Sequence, residues 1–246
     1  MTNNFSVQKY FQKNSPPGDR VWGSLFLCFL LLLSCKSQYM VKGSSNVDDL
    51  EGKMLTLKVY VDGEMRDIDS TRVVHGRFSF GGSMDSTMLA NVFLGNISLR
   101  PIVLEEGEVD LSIGETQQTA TGTPLNDTLS GFIRRKTQID AQMAELPHLQ
   151  AMMIMDGVDY DDAMHELSKQ SQQLEAENDR LIVRFIRANY NNVLGPGIFM
   201  ILTSSLPYPI LTPQIEEILT DAPPYFLGHP YVKEYIKQAK ENQNKD

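Results

Sequence analysis

The densest group of side chains able to do acid–base chemistry lies in the segment 156–166. If that segment is helical, Asp161 and Asp162 stand about one turn before His165 and share its neighbourhood. A histidine beside carboxylates can act as a general acid or base, which would suit a hydrolase. Acids in the first turn of a helix are also stabilised by the helix dipole, and this structural role is the more common one. We therefore predict a solvated helix start, with a hydrolase that uses these acids and His165 as the weaker alternative.

The other histidines and acids give no stronger pattern. The four histidines lie far apart, without a second histidine at a helical or strand interval, at His75, His148, His165 and His229. The acidic segment 156–162 fails the EF-hand spacing because Val158 occupies the third ligand position. Glu105, Glu106 and Glu108 surround a glycine, which favours a charged turn over a pair of catalytic carboxylates. The sequence accordingly predicts no metal, no cofactor and no catalytic residue.

Aromatic side chains on proline-containing loops form the candidate contact surface. Tyr208 lies between two prolines, and Tyr225 and Phe226 follow a pair of prolines. Proline restricts the backbone of such loops and can hold an aromatic ring in place for a ligand or a partner. The alternative is that these loops pack over a helical core.

An apolar segment near the start of the chain indicates export. Residues 21–33 are apolar or small, and they are too few for a helix that spans a bilayer, which takes about 20 residues. Lys9, Lys13 and Arg20 precede the segment. A basic region followed by a short apolar run is typical of a secretory signal peptide, here residues 1–34.

The sequence L-L-S-C at 32–35 resembles the lipobox of bacterial lipoproteins. That resemblance implies cleavage after Ser34 and acylation of Cys35, so that acyl chains attach the protein to a membrane. The following K-S-Q-Y at 36–39 lacks the acidic residues that favour surface export, and we expect an outer-membrane anchor that faces the periplasm. An ordinary signal peptide cleaved elsewhere and a short membrane anchor are the alternatives.

Charge and cysteine content restrict the function further. The chain has 22 Lys and Arg against 31 Asp and Glu, a net charge of −9, which argues against nucleic acid as a partner. Its two cysteines are Cys28 and Cys35. Cleavage and acylation would leave no free thiol, so the mature chain alone can form no internal disulfide and cannot do thiol redox chemistry.

The hydrophobic pattern predicts an antiparallel β domain, a sandwich or a barrel, over residues 50–122. Apolar and polar residues alternate from 54 to 61, as in a half-buried strand, and an Asp-Gly pair then favours a turn. Further short apolar runs recur at the spacing of an all-β fold. Residues 35–49 are expected to hold the lipidated Cys35 and a flexible tether, because residues 36–49 are polar with Gly and Ser.

The pattern of residues 123–246 predicts an α-helical domain. Together with the β domain, it places the mature chain in the α+β fold class. A first helix is expected to begin near Asn126 or Asp127 and to be interrupted at Pro147, and a second to begin near 159–162 and form a hairpin with it. The second helix is expected to end at 191–197. A short helix is then expected at 212–219 and the last helix at 230–240.

Five motifs between residues 55 and 127 recur together in one known family. They are L-T-L-K-V-Y at 55–60, D-I-D-S at 67–70, V-V-H-G-R-F-S-F-G-G at 73–82, V-L-E-E-G at 103–107 and G-T-P-L-N-D at 122–127. Together they resemble the domain of unknown function 4369, a module of secreted Bacteroidetes lipoproteins that commonly precedes a thioredoxin-like, disulfide-reducing domain. This sequence contains no Cys-x-x-Cys, so the resemblance implies the fold and the compartment here but not the redox chemistry, and no functional residue is carried over.

We therefore expect an envelope-anchored lipoprotein that serves as a non-enzymatic binding or scaffolding module. Its expected partners are the membrane, through acyl chains on Cys35, and an envelope protein. The alternative is an accessory subunit of an extracytoplasmic disulfide-reducing system whose redox thiols are supplied by another chain.

Overall fold

The computed structural model describes residues 37–61 and 63–244. The predicted signal peptide, the lipobox and Cys35 lie outside these residues. Within the described part, no helix is both long and apolar enough to cross a membrane.

Two four-stranded sheets make up the first part of the chain. Sheet A has the order β4-β1-β7-β8, and its strands are β1 (Ser37–Ser45), β4 (Arg77–Met84), β7 (Gly107–Ile113) and β8 (Gln118–Thr121). Sheet B has the order β3-β2-β5-β6, and its strands are β2 (Met54–Val61), β3 (Glu64–Arg72), β5 (Met88–Leu94) and β6 (Ile97–Leu104). All pairings are antiparallel except that of β1 with β7, which is parallel.

The sheets bury one shared apolar core, as expected for a sandwich. Leu55, Leu57 and Val59 of β2 alternate into this core, because successive side chains of a strand point to opposite faces. Sheet A contributes, among others, Val41 and Phe80. The α+β class and the antiparallel β region predicted from the sequence are confirmed.

The segment that we expected to be a flexible tether is a strand instead. β1 lies between β4 and β7, and its Tyr39 and Val41 are buried. The small residue Gly43 continues this inward face, since a Cβ atom there would stand 2.1 Å from the ring of Phe78. The glycine that suggested flexibility therefore makes room for an aromatic ring, and the β region begins at Ser37 rather than at residue 50.

A long helical hairpin follows the sandwich. It consists of α1 (Pro124–Met155) and α2 (Tyr160–Ala188). The start of α2 agrees with the prediction, because the Asp159 carboxylate accepts a hydrogen bond from the N–H of Asp161 at 2.9 Å and caps the helix. The predicted interruption at Pro147 is wrong: α1 continues through this exposed residue, where water can hydrogen-bond the carbonyl that proline leaves unpaired.

Four shorter helices complete the described chain. They are α3 (Leu194–Ser204), α4 (Pro213–Thr220), α5 (Pro224–Leu227) and α6 (Pro230–Gln243). The start of α4 is as predicted, with the Thr212 hydroxyl accepting from the N–H of Ile215. α2 ends at Ala188, before the predicted segment 191–197. The last residues of that segment, from Leu194, form the first turn of α3, a helix that the sequence did not predict. A Cβ atom at Gly197 would stand 2.4 Å from the side chain of Leu89, so the glycine permits close packing on β5.

The helices form a second core that rests on sheet B. Phe199 of α3 and Phe226 of α5 lie at its centre, and Val103 of β6 belongs to the same cluster. The β and helical regions together make one compact unit. The predicted boundary at 122–123 falls between the end of β8 and the start of α1.

Candidate functional site

The acid and histidine group at the start of α2 lies in solvent. Asp161, Asp162 and His165 are all exposed, and the neighbouring Asp159 caps the helix as described above. None of the three lines either of the two cavities described below. Across residues 37–61 and 63–244, no three histidine, cysteine or acidic side chains are placed so that they could hold a metal ion.

Two other acids from the sequence search stabilise the backbone. Glu105 accepts hydrogen bonds from the N–H groups of Leu125 and Asn126, at 2.9 and 3.2 Å, and so caps the first turn of α1. Glu108 on β7 forms an exposed ion pair with Lys42 of β1 at 2.6 Å. The acidic group around Gly107 therefore ties β7 to its neighbours, a role that the sequence did not reveal for Glu105.

The histidine turn at 75–76 is held by a carboxylate from another part of the chain. Both oxygens of Glu51 accept backbone hydrogen bonds, from Gly76 at 3.0 Å and from His75 at 2.9 Å. These bonds lower the pKa of Glu51. His75 has a φ of 52°, a left-handed conformation that is unusual for a residue other than glycine.

The aromatic candidates divide into two groups. Tyr208 and Tyr225 are 56% and 59% exposed, but Phe226 is completely buried. The Phe226 ring packs against the rings of Tyr190 and Phe199, with centroid distances of 4.9 and 5.6 Å. Phe226 is therefore a core residue, and its predicted place in a contact surface is wrong. The dipeptide pattern could not distinguish the two sides of the short helix α5.

Tyr208 lines a groove of about 670 Å³ between sheet B and the last helices. Four tyrosines surround this groove, and we call it the tyrosine groove: Tyr60 of β2, Tyr208 of the loop before α4, and Tyr231 and Tyr235 of α6. Pro207, Pro209 and Pro230 complete much of the wall, while His229 and Glu234 add polar groups. Tyr225 is not among the lining residues.

Three of the four rings are fixed by contacts inside the protein. The Tyr231 and Thr203 hydroxyls are hydrogen-bonded at 2.8 Å, and the Tyr60 ring meets the Tyr231 ring edge to face at 5.8 Å. The Tyr235 hydroxyl donates to the carbonyl of Ile210 at 2.8 Å and accepts from its N–H at 3.1 Å. Burial raises the pKa of Tyr235, and it lowers the pKa of His229. The groove is therefore an aromatic surface in which three of the four rings are held in place.

A second cavity, of about 740 Å³, lies between β6, β8 and the first half of α1. Arg100 of β6 lines it and is only 5% exposed, so we call it the Arg100 cavity. Burial lowers the pKa of Arg100. No sequence motif marked Arg100, although an arginine at a core-facing position of a strand is itself a signal of a special role.

Comparison with protein families gives one match, and comparisons with curated proteins and with solved structures give none. The matching model is described as Domain of unknown function (DUF4369) and covers residues 39–129. This range begins within β1 and ends within α1, so it contains nearly the whole sandwich and the helix turns capped by Glu105. Residues 39–129 of this chain are thus a domain of the DUF4369 family, as their motifs had indicated.

Proposed function

We propose that this chain is a lipid-anchored, non-enzymatic module of the cell envelope that binds a protein partner through the tyrosine groove. The observation that carries the proposal is the set of three tyrosine rings held in place around an open groove, with the exposed Tyr208 beside them.

The chemistry of the groove suits a protein surface. Tyrosine is enriched in the centres of protein interfaces because it offers a large apolar face and a polar end with few rotatable bonds. Since Tyr231 and Tyr235 are already hydrogen-bonded to the protein, binding would order little besides Tyr208. Binding to a preformed surface loses less conformational entropy than binding to a flexible one.

The envelope location rests on the sequence around Cys35. The apolar segment and the L-S-C motif support cleavage and acylation, and the net charge of −9 makes electrostatic adhesion to anionic lipid unfavourable. Acyl chains on Cys35 would then attach the protein to a membrane. We propose that this is the outer membrane and that the protein lies on its periplasmic side.

The non-enzymatic role is supported by the positions of the candidate groups. Among the described acids and histidines from the sequence search, Glu105 and Asp159 cap helices, while Asp161, Asp162 and His165 stand in open solvent. Acid–base catalysis needs a group held within hydrogen-bond reach of a sequestered substrate. These five side chains line neither the tyrosine groove nor the Arg100 cavity. His229, a further histidine of the chain, does line the tyrosine groove, where burial lowers its pKa.

A second candidate function is favoured by the DUF4369 match. The module resembles one that commonly stands before a thioredoxin-like domain, and this chain has no cysteine after Cys35. In that case the partner in the tyrosine groove would be a separate protein that carries a Cys-x-x-Cys motif.

Co-purification with matched tyrosine variants tests the proposal. The full chain, tagged at its C-terminus, is crosslinked mildly in intact cells and purified from envelope extracts. We expect Tyr208→Ala to reduce recovery of the partner about tenfold or more, as for a central interface tyrosine. Tyr225→Ala is the control, because Tyr225 is equally exposed but lies outside the groove.

Equal recovery from the two variants would contradict the groove as the binding surface. The identity of the recovered protein separates the two functions: a Cys-x-x-Cys protein supports the accessory role, and any other envelope protein supports scaffolding.

A further inference from the structure

Arg100 is a buried charge without a charged partner in the part of the chain that the structure describes. Its Nη1 donates to the carbonyl of Gln118 at 2.7 Å, and its Nη2 donates to the hydroxyl of Ser130 at 2.9 Å. Both acceptors are neutral. The Nε atom is buried and has no hydrogen-bond partner.

This arrangement is expensive for the protein if nothing else binds. Burial of an ionised group without a counter-ion destabilises the folded state, and a buried N–H without an acceptor destabilises it further. A neutral side chain could link β6 to β8 and α1 without that cost. The buried guanidinium of Arg100 therefore suggests that its counter-ion is a bound anion and not another side chain.

The Arg100 cavity has the size and lining of a small-molecule site. Its volume of about 740 Å³ lies within the range of known ligand sites, roughly 300–1,000 Å³. The wall is rich in hydroxyl and amide groups, among them Thr116, Gln117, Thr119, Thr121, Thr137 and Gln138. Such groups can hydrogen-bond a polar ligand at several points.

A second arginine, Arg134, lines the same cavity. Arg134 lies one helical turn after Ser130 on α1, so it shares the face of the helix that meets Arg100. Arg134 lines the cavity and is exposed, and no ion pair joins it to any described acid. Two guanidinium groups of this kind can hold a carboxylate by charge-assisted hydrogen bonds.

Two acids restrict the class of anion. Asp127, which accepts a hydrogen bond from the N–H of Gly122 at 3.1 Å, and Glu115 in the loop between β7 and β8 both line the cavity. They repel a fully charged inorganic ion but accept hydrogen bonds from hydroxyl groups. A ligand with one carboxylate and several hydroxyls matches both sets of side chains.

Gly131 keeps the cavity open on the α1 side. It lines the cavity, and a Cβ atom built there would meet nothing within 4 Å. Glycine is less favourable than alanine within a helix, so helix propensity does not explain this residue. A larger side chain at this position would extend into the space that a ligand needs.

We propose that the Arg100 cavity binds a small hydroxylated carboxylate, whose carboxylate group pairs with Arg100 and Arg134. This site is separate from the tyrosine groove, and none of its lining residues is shared with it. It gives the module a small-molecule ligand in addition to a protein partner.

Titration calorimetry on the full chain tests the proposal. The probes are glycolate and D-glucuronate, with D-glucose as the neutral control and inorganic phosphate as the plain anion. We expect saturable binding of at least one carboxylate probe, weaker binding of phosphate, and no binding of D-glucose.

Variants then locate the ligand. Arg134→Gln, at an exposed position, and Gly131→Phe, which fills the cavity, should each weaken carboxylate binding at least tenfold. Gly131→Ala is the matched control and should retain binding while raising the melting temperature. Circular dichroism melts establish that every variant is folded.

Three results would overturn the proposal. They are a folded wild-type chain that binds neither carboxylate, phosphate binding that is tighter than carboxylate binding, and wild-type affinity in both Arg134→Gln and Gly131→Phe.

Discussion

At the scale of single residues, Asn126 shows how one side chain joins the two halves of the protein. It lies in the first turn of α1 and is completely buried. Its Oδ1 accepts from the N–H of Val103 at 2.9 Å, and its Nδ2 donates to the Val103 carbonyl at 2.8 Å. β6 is an edge strand of sheet B, so Asn126 pairs backbone groups that a further strand would otherwise pair.

Replacement of Asn126 by alanine should therefore destabilise the protein strongly. The N–H and C=O groups of Val103 would stay buried without partners, and we expect a loss of about 2–4 kcal/mol in the free energy of unfolding, measured in urea. Thr128→Ala is the control, because the Thr128 hydroxyl bonds the Pro124 carbonyl in an exposed position. Similar losses for the two variants would contradict this role of Asn126.

A second residue-scale prediction concerns pH. Partial burial raises the pKa of Asp179 above its ordinary value of 3.8, and the nearby charges of Glu175 and Glu217 raise it further. The folded state therefore binds the proton more tightly than the unfolded state, so the charged carboxylate destabilises the fold at neutral pH.

Asp179→Asn should stabilise the protein at pH 7 by about 0.3 kcal/mol or less, because water screens this exposed carboxylate. Asparagine keeps the Oδ1 atom that accepts from Gln214. The gain should shrink as the pH falls through the raised pKa, and it should vanish below the ordinary value of 3.8. Urea titrations at several pH values and low salt measure it. A gain that is independent of pH would contradict the electrostatic cause.

At the scale of elements, the sequence predicted strands and helices well where periodicity determined them. The alternation in β2 reflects burial of every second side chain, and the Asp159 cap marks the start of α2. β1 was missed because glycine and serine suggested flexibility, whereas Gly43 fits the space left by Phe78. Propensity is a local property, and the Phe78 ring that requires this glycine lies on another strand.

The close packing in β1 makes a further prediction. Gly43→Ala would place a methyl group on the Phe78 ring, and we expect a loss of about 1–3 kcal/mol in the free energy of unfolding. Phe78→Leu should recover part of that loss when the two changes are combined, because the smaller side chain frees the space. A double-mutant cycle in urea measures this coupling, and purely additive losses would refute the packing account.

At the scale of the whole molecule, the candidate sites depend on contacts between distant segments. Tyr208 and Tyr225 are both exposed, but the tyrosine groove is formed by Tyr208 together with residues that include Tyr60, from a strand far earlier in the chain. The Arg100 cavity likewise combines β6, β8 and α1. Because these sites combine residues that lie far apart in the sequence, no local sequence pattern predicts them. The sequence could suggest individual residues but not the surfaces that they form.

The proposed anchor also acts on the whole molecule. Cys35→Ala should move the protein from the membrane fraction to the soluble fraction of the cell, because acylation would no longer be available. The released protein should keep the fold and the melting temperature of the wild type, since the substitution is expected to remove only the acylation site. Fractionation followed by immunoblotting measures the change. Retention in the membrane fraction would contradict acylation at Cys35.

The central claim is that the tyrosine groove binds an envelope protein, and site-specific photo-crosslinking in living cells tests it most directly. A photoreactive amino acid replaces Tyr208 in one strain and Tyr225 in another, so that two equally exposed positions are compared. We predict a single dominant crosslinked protein from position 208 and none from position 225. Equal crosslinking at both positions, or none at position 208, would contradict the claim.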